Sequence, residues 1–222
     1  MKRNLSFVGL VALCNLALFG QVEQRPRILH TAEKSVSHVL PQAPPPNLEV
    51  IHSNLGPKAH LYNDQDSLGV IGPACPLGGP SSFVAMPFTP KSDSHVQAVR
   101  VPVQYIGHGA TQVNLSIYAD EGGKPGSLLA GPTTVMNVPP WSLSCCTLVT
   151  AMFDPLAVTG RVRYWVVADT PLSGTGSDFC GIWFFVAHRP VPMAFNLNQG
   201  AGWSIVPTIV SELAGEVLGT IP

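Results

Sequence analysis

Short hydrophobic stretches recur along the chain from Leu48 onward, and each is bounded by Gly, Pro, Asn or Asp. The pattern is clearest between Gln112 and Ala119, where every second residue is apolar and the residues between them are Gln, Asn, Ser and Tyr. An alternation with a period of two is typical of an antiparallel strand that buries one face and exposes the other. The stretches that we predict to be strands are Leu48–His52, Phe83–Phe88, Val96–Tyr105, Gln112–Ala119, Thr133–Val138, Thr147–Phe153, Tyr164–Asp169, Gly181–Ala187, Met193–Leu197 and Val217–Leu218.

The spaces between these strands do not predict long helices. No amphipathic helical repeat separates one predicted strand from the next, and the 21 Gly and 22 Pro residues oppose long uninterrupted helices. Many short strands without helices are typical of two packed antiparallel sheets. We therefore predict an all-β fold for residues 48–222, a two-sheet antiparallel β-sandwich of jelly-roll-like form. Pro102 cannot donate a backbone hydrogen bond, so we expect its strand to lie at a sheet edge or to pair on only one side at that residue.

The first twenty residues have the features of a secretory signal peptide. Lys2 and Arg3 precede a nearly continuous apolar run from Leu5 to Phe19. This run has the length of a signal-peptide core but is short for a transmembrane helix. We expect cleavage after Gly20 and secretion of the mature protein, with an uncleaved N-terminal anchor as the alternative.

The net charge and the lengths of the apolar stretches limit the partners that the chain can bind. The formal net charge is −1, only 11% of the residues are charged, and Lys and Arg form no block, which argues against a nucleic-acid-binding groove. No second apolar stretch is long enough to cross a bilayer, so we predict no transmembrane segment in the mature chain. Residues 21–47 are polar and end in a run of prolines, which predicts a Pro-rich linker.

The cysteines predict two disulfide bonds. Removal of the leader takes away Cys14 and leaves Cys75, Cys145, Cys146 and Cys180. An even number in an exported chain is most simply interpreted as disulfides. A bridge between the neighbours Cys145 and Cys146 would close a strained ring. We therefore expect one of the two to bond with Cys75 and the other with Cys180, and a zinc site is the alternative, although no Cys-x-x-Cys spacing accompanies them.

The chain lacks the sequence signatures of common hydrolases. It contains neither a G-x-S-x-G nor an H-E-x-x-H motif. In an oxidising compartment we expect the cysteines to form disulfide bonds rather than to act as reactive thiolates. We predict that the protein is not an enzyme, and a glycoside hydrolase is the less favoured alternative because its carboxylate pair leaves no sequence pattern.

The densest run of oxygen ligands is Asn63–Ser67. Asp64 and Asp66 supply two carboxylates, whereas Ca²⁺ takes about six to eight oxygens. The run lacks the Gly and the distal Glu of an EF-hand loop. We therefore expect a solvated loop and no cofactor, with structural Ca²⁺ at Asp64 and Asp66 as the alternative.

Three tryptophans are candidates for a sugar-binding platform, because an aromatic face suits the apolar face of a pyranose ring. They are Trp141, Trp183 and Trp203. Trp183 belongs to a run that is apolar on both faces, which favours burial. Trp203 follows the Gly-containing segment 199–202 and is the strongest candidate for ligand contact.

Four motifs follow one another along the predicted sandwich. They are Leu115–Leu129 (LSIYADEGGKPGSLL), Cys145-Cys146-Thr147, Arg163–Ala168 (RYWVVA) and Gly215–Thr220 (GEVLGT). Together they resemble the choice-of-anchor R domain of exported bacterial proteins. The resemblance covers about Ile51 to Thr220 and implies an exported or surface β-sandwich domain.

These observations favour an exported, non-catalytic β-sandwich module that serves in extracellular interaction or in envelope structure. The alternative is a carbohydrate-binding module that uses loop aromatics to hold a glycan. A cluster of two exposed aromatic side chains beside polar residues on a concave sheet would favour the second interpretation.

Overall fold

The computed structural model is all-β, as predicted. It describes residues 28–30, 45–55, 63–107, 109–141, 147–187, 192–197, 202–206 and 211–222. In chain order the strands of these residues are β1 (Ile28–His30), β2 (Glu49–Ser53), β3 (Asn63–Ile71), β4 (Ser82–Phe88), β5 (Ser94–Val101), β6 (Val103–Tyr105), β7 (Val113–Asp120), β8 (Pro125–Val135), β9 (Val149–Val158), β10 (Tyr164–Asp169), β11 (Cys180–Ala187), β12 (Met193–Leu197), β13 (Ser204–Val206), β14 (Ser211–Leu213) and β15 (Glu216–Thr220).

Two antiparallel sheets form the predicted β-sandwich. Within the described residues, sheet A contains eleven strands, and its main path is β14-β11-β3-β4-β10-β7-β8. Strands β1, β6, β12 and β13 pair off this path, with β12 beside β4 and β13 beside β12. Sheet B has the order β2-β15-β5-β9. Alternate residues of both sheets fill one hydrophobic core, in which Phe88, Trp183 and Phe185 are almost completely buried.

The chain passes directly from sheet B to sheet A at Pro102. This residue separates β5, which pairs with β15 and β9, from β6, which pairs with β11. Proline has no N–H to donate, and the ladder of sheet B ends at Val101, whereas the carbonyl of Pro102 still accepts from the backbone N–H of Phe184 on β11 at 3.3 Å. The predicted strand Val96–Tyr105 is therefore two strands. Since β5 has a neighbour on each side, it is not an edge strand, but the alternative expectation, pairing on only one side at Pro102 itself, is confirmed.

A second direct passage, from β14 to β15, is held by the buried side chain of Asn54. Its Nδ2 donates to the carbonyl oxygen of Leu213 at 2.7 Å, and its Oδ1 accepts from the backbone N–H of Gly215 at 2.8 Å. The backbone N–H of Asn54 also donates to the Gly215 carbonyl, at 3.3 Å. The side-chain amide thus satisfies backbone groups that a ladder would otherwise satisfy.

Other segments also differ from the sequence prediction. Asn63–Ser67, expected as a loop, belongs to β3, because its backbone pairs with β11 and β1. Ile28–His30, inside the predicted linker, forms β1 opposite β3. Strand β8 begins at Pro125 rather than at Thr133. It contains Pro125, Gly126, Gly131 and Pro132, and its irregular register against β7 accommodates them.

The disulfide bond joins Cys75 to Cys180, with an S–S distance of 2.01 Å. The expected pairing of these two residues with Cys145 and Cys146 is therefore wrong. Register explains the observed bond: Cys180 at the start of β11 lies opposite Ile71 at the end of β3, and Cys75 follows in the next turn. Cys145 and Cys146 lie outside the described residues.

Candidate functional site

A row of mainly polar side chains crosses the outer face of sheet A. On β7 the inner positions are Val113, Leu115 and Ile117, so Asn114 points outward. Asn114 lies opposite Thr134 on β8 and opposite Asp169 on β10. Neighbouring strands therefore present polar side chains at the same level of the sheet.

The same level continues across β4 and β12. Asn196 lies opposite Phe83. Continuing the β10–β4 register by one residue places Asp169 beside Phe83, and continuing the β12–β13 register places Trp203 beside Asn196. We call the set the polar row: Thr134, Asn114, Asp169, Phe83, Asn196 and Trp203. At a spacing of about 4.8 Å between strands, it is roughly 24 Å long.

Asp169 lies in the middle of the polar row. Its side chain is largely removed from water, and this burial raises the pKa of the carboxyl to about 6. A hydrogen bond from the Asn114 side chain acts in the opposite direction on this pKa. The Oδ1 of Asn114 in turn accepts from the Thr134 hydroxyl at 2.8 Å. A connected polar network thus leads from the edge of the sheet to the carboxylate.

Two partly exposed aromatic residues flank this network. Tyr118 and Trp203 pack on a small apolar cluster of the outer face, formed by Ala85, Trp165, Val167 and Ala194. Burial raises the pKa of Tyr118, and repulsion from Asp169 raises it further. The Tyr118 phenol is thus within the electrostatic range of the Asp169 carboxylate.

Asp120 is a second carboxylate on the outer face, at the far end of β7. Its Oδ1 accepts from Nε1 of Trp165 at 2.7 Å and lies 4.0 Å from Nη1 of Arg163. Asp120 is six residues from Asn114 along the strand, which corresponds to about 20 Å at the rise of a β-strand. The two outer-face carboxylates, Asp120 and Asp169, are therefore held far apart.

The three predicted tryptophans do not form one platform. Trp183 is fully buried and donates through Nε1 to the Ala214 carbonyl at 2.7 Å, so it cannot contact a ligand. Trp141 is exposed, but its backbone N–H donates to the carbonyl of Tyr105 in β6, and β6 does not contribute to the polar row. Trp203 lies instead beside β12, in the polar row, and is the member of the three that the site includes.

Metal ligands do not converge in the described part of the chain. No group of three or more His, Cys, Asp or Glu side chains comes together there. The backbones of Asp64 and Asp66 belong to β3, and their side chains lie outside the described set. No helix of the described residues is long and apolar enough to cross a membrane.

Sequence reasoning missed Asn114, Asp169 and Asn196 as site residues. Each occupies an outer position of a correctly predicted strand, and Asp169 ends an otherwise apolar one. That pattern marks a polar face but does not show which strands are neighbours. No protein-family model matches the chain, and no curated protein matches it. The polar row itself is therefore the guide to the chemistry of the site.

Proposed function

We propose that this protein is an exported, non-catalytic binding module whose ligand is a carbohydrate held along the polar row. The observation that carries the proposal is the joint presence of Asp169, Asn114, Tyr118 and Trp203 on one sheet face. Carboxylate and amide groups accept from and donate to sugar hydroxyls, and aromatic faces pack on the apolar face of a pyranose. The partial exposure of Tyr118, Asp169 and Trp203 gives a ligand access.

A binding role without catalysis is supported by the spacing of the carboxylates. Glycoside hydrolases use two carboxyl groups about 5–10 Å apart across the scissile bond. Asp169 and Asp120 are separated by about twice the upper limit of that range, given the rise of a β-strand. Asp169 is thus suited to accept hydrogen bonds from a ligand rather than to act as one half of an acid–base pair.

Export and a surface location belong to the same proposal. The leader Met1–Gly20 has the composition of a signal peptide. The Cys75–Cys180 bond is of the kind that persists in oxidising compartments outside the cytosol. The resemblance to choice-of-anchor R domains is consistent with an extracellular module, and the polar row favours interaction over a purely structural role.

A glycan array probed with the mature domain tests the proposal, followed by calorimetry on the oligosaccharides that bind. We expect Trp203→Ala and Asp169→Asn each to weaken binding by at least about tenfold, because each removes stacking or a charge-assisted hydrogen bond. Trp141→Ala and Asp154→Asn are the matched controls, since both residues are exposed and lie outside the polar row. An array without binding, or variants of the polar row that bind as well as the controls, would contradict the proposal.

A further inference from the structure

A cavity of about 260 Å³ opens at one end of the sandwich, away from the polar row. Its walls come from β2 (His52), from β4 (Pro87 and Phe88), from β14 (Glu212), and from Arg163 and Pro192, which precede β10 and β12. Cavities that hold drug-sized molecules usually measure about 300–1,000 Å³. The size of this cavity suits a smaller ligand.

Two opposite charges face this cavity. Glu212 is only 5% exposed, whereas the Arg163 side chain is 47% exposed and lies near the mouth. A carboxylate offers about four acceptor positions and a guanidinium five N–H donors, so a group of either kind can bind more than one partner at a time. Arg163 contacts Asp120 only at 4.0 Å, which is the long limit of an ion pair.

Part of the remaining wall is apolar, and aromatic contacts hold it in place. The ring of Phe88 stacks on that of Tyr164, with centroids 5.6 Å apart and planes inclined by 29°. The His52 ring lies 6.1 Å from Phe88 on another side. Pro87 and Pro192 complete a surface that a short hydrocarbon chain can cover. The cavity therefore combines an anion, a cation and an apolar wall.

We infer that this cavity binds a small zwitterion of the amino-acid class, with its ammonium group toward Glu212 and its carboxylate toward Arg163. Each charged group of such a ligand meets a side chain of opposite charge. Charge-assisted hydrogen bonds of this kind are stronger than those between neutral groups. The aliphatic part lies against Phe88 and the two prolines. None of these residues belongs to the polar row, so the inference is independent of the proposed carbohydrate site.

Calorimetric titration of the mature protein with L-leucine tests the inference. The comparators are 4-methylpentanoate, which lacks the amine, and 3-methylbutan-1-amine, which lacks the carboxylate. We expect L-leucine to bind at least about tenfold more tightly than either comparator, because each lacks one charge-assisted contact. No binding of L-leucine at millimolar concentration, or equal binding of one comparator, overturns the inference.

Variants of the half-exposed Arg163 then locate the site. Arg163→Met is expected to weaken L-leucine binding by at least about tenfold, and Arg163→Lys to restore part of the affinity, because lysine keeps the charge but not the planar fork. Arg161→Met is the control, since Arg161 is exposed two residues away and does not line the cavity. Equal affinities of Arg163→Met and Arg161→Met would place the ligand elsewhere and overturn the inference.

Discussion

At the scale of single residues, Asp169 lies in a position suited to ligand binding, but burial of its charge lowers the stability of the folded protein. Burial raises its pKa to about 6, so at neutral pH the folded chain holds a charge that is poorly hydrated. The hydrogen bond from Asn114 compensates only part of this penalty, since the net shift of the pKa is upward. A carboxylate in this situation is available to a ligand that can donate hydrogen bonds to it.

The first prediction concerns the pH dependence of stability. The folded-state pKa of Asp169 lies above the ordinary value of 3.8, so its stabilising contribution is complete below about pH 4 and is lost as pH rises through about 6. Asp169→Asn removes this titration. Between pH 5 and pH 8, which spans about one unit of this shift, we expect the free energy of unfolding of the variant to gain about 1–1.5 kcal/mol relative to the native protein.

Urea denaturation of both proteins at several pH values measures this difference. The comparison between the two proteins cancels the titration of the other acidic groups, which they share. A difference in unfolding free energy that stays constant from pH 5 to pH 8 would show that the carboxyl titrates normally in the folded state.

At the scale of secondary structure elements, sequence predicted some strands with their correct bounds and missed others for identifiable reasons. Tyr164–Asp169 and Met193–Leu197 are correct, because largely apolar runs there end at turn-forming residues. Asn63–Ser67 was missed because its place in β3 depends on backbone pairing rather than on a hydrophobic pattern. The polar row depends on which strands are neighbours, and alternation within one strand does not contain that information.

Asn54 gives a prediction at this scale, because one side chain holds the passage from β14 to β15. Asn54→Ala leaves the Leu213 carbonyl and the Gly215 N–H without their side-chain partner in a buried place. We expect the free energy of unfolding to fall by about 2–4 kcal/mol. Asn54→Asp keeps the acceptor and, when its carboxyl is neutral, replaces the amide donor with a single O–H.

Thermal and chemical denaturation of both variants check this expectation. Because a neutral carboxyl still accepts from Gly215 and has a single O–H to donate to Leu213 in place of the amide, Asn54→Asp should rank between Asn54→Ala and the native protein at a pH where the new carboxyl is neutral. A native-like midpoint for Asn54→Ala would mean that the passage is held by other contacts.

At the scale of the whole molecule, the Cys75–Cys180 bond links the turn after β3 to the start of β11 across 105 residues of sequence. Both cysteines are buried, together with Ile71. A crosslink over so long a loop restricts the unfolded chain strongly, and it does so without any change in the core.

The corresponding prediction is that the double variant Cys75→Ser/Cys180→Ser loses about 2–5 kcal/mol of unfolding free energy. Denaturation with and without reductant measures the loss, and the variant should no longer respond to reductant through this bond. Peptide mapping without reduction should recover the Cys75 and Cys180 peptides as one linked species. Free thiols at both positions would contradict the bond.

Sheet B also sets the time at which folding can finish. Ser53 on β2 pairs with Glu216 on β15, which follows 163 residues later. A ribosome adds about 5–20 residues per second, so β2 leaves the ribosome roughly 8–30 s before the strand that completes its ladder is made. Until then β2 has no neighbouring strand in sheet B, so this sheet cannot cover its side of the core and the newly made chain cannot finish folding. Such a delay suits a chain that is expected to cross a membrane before it folds.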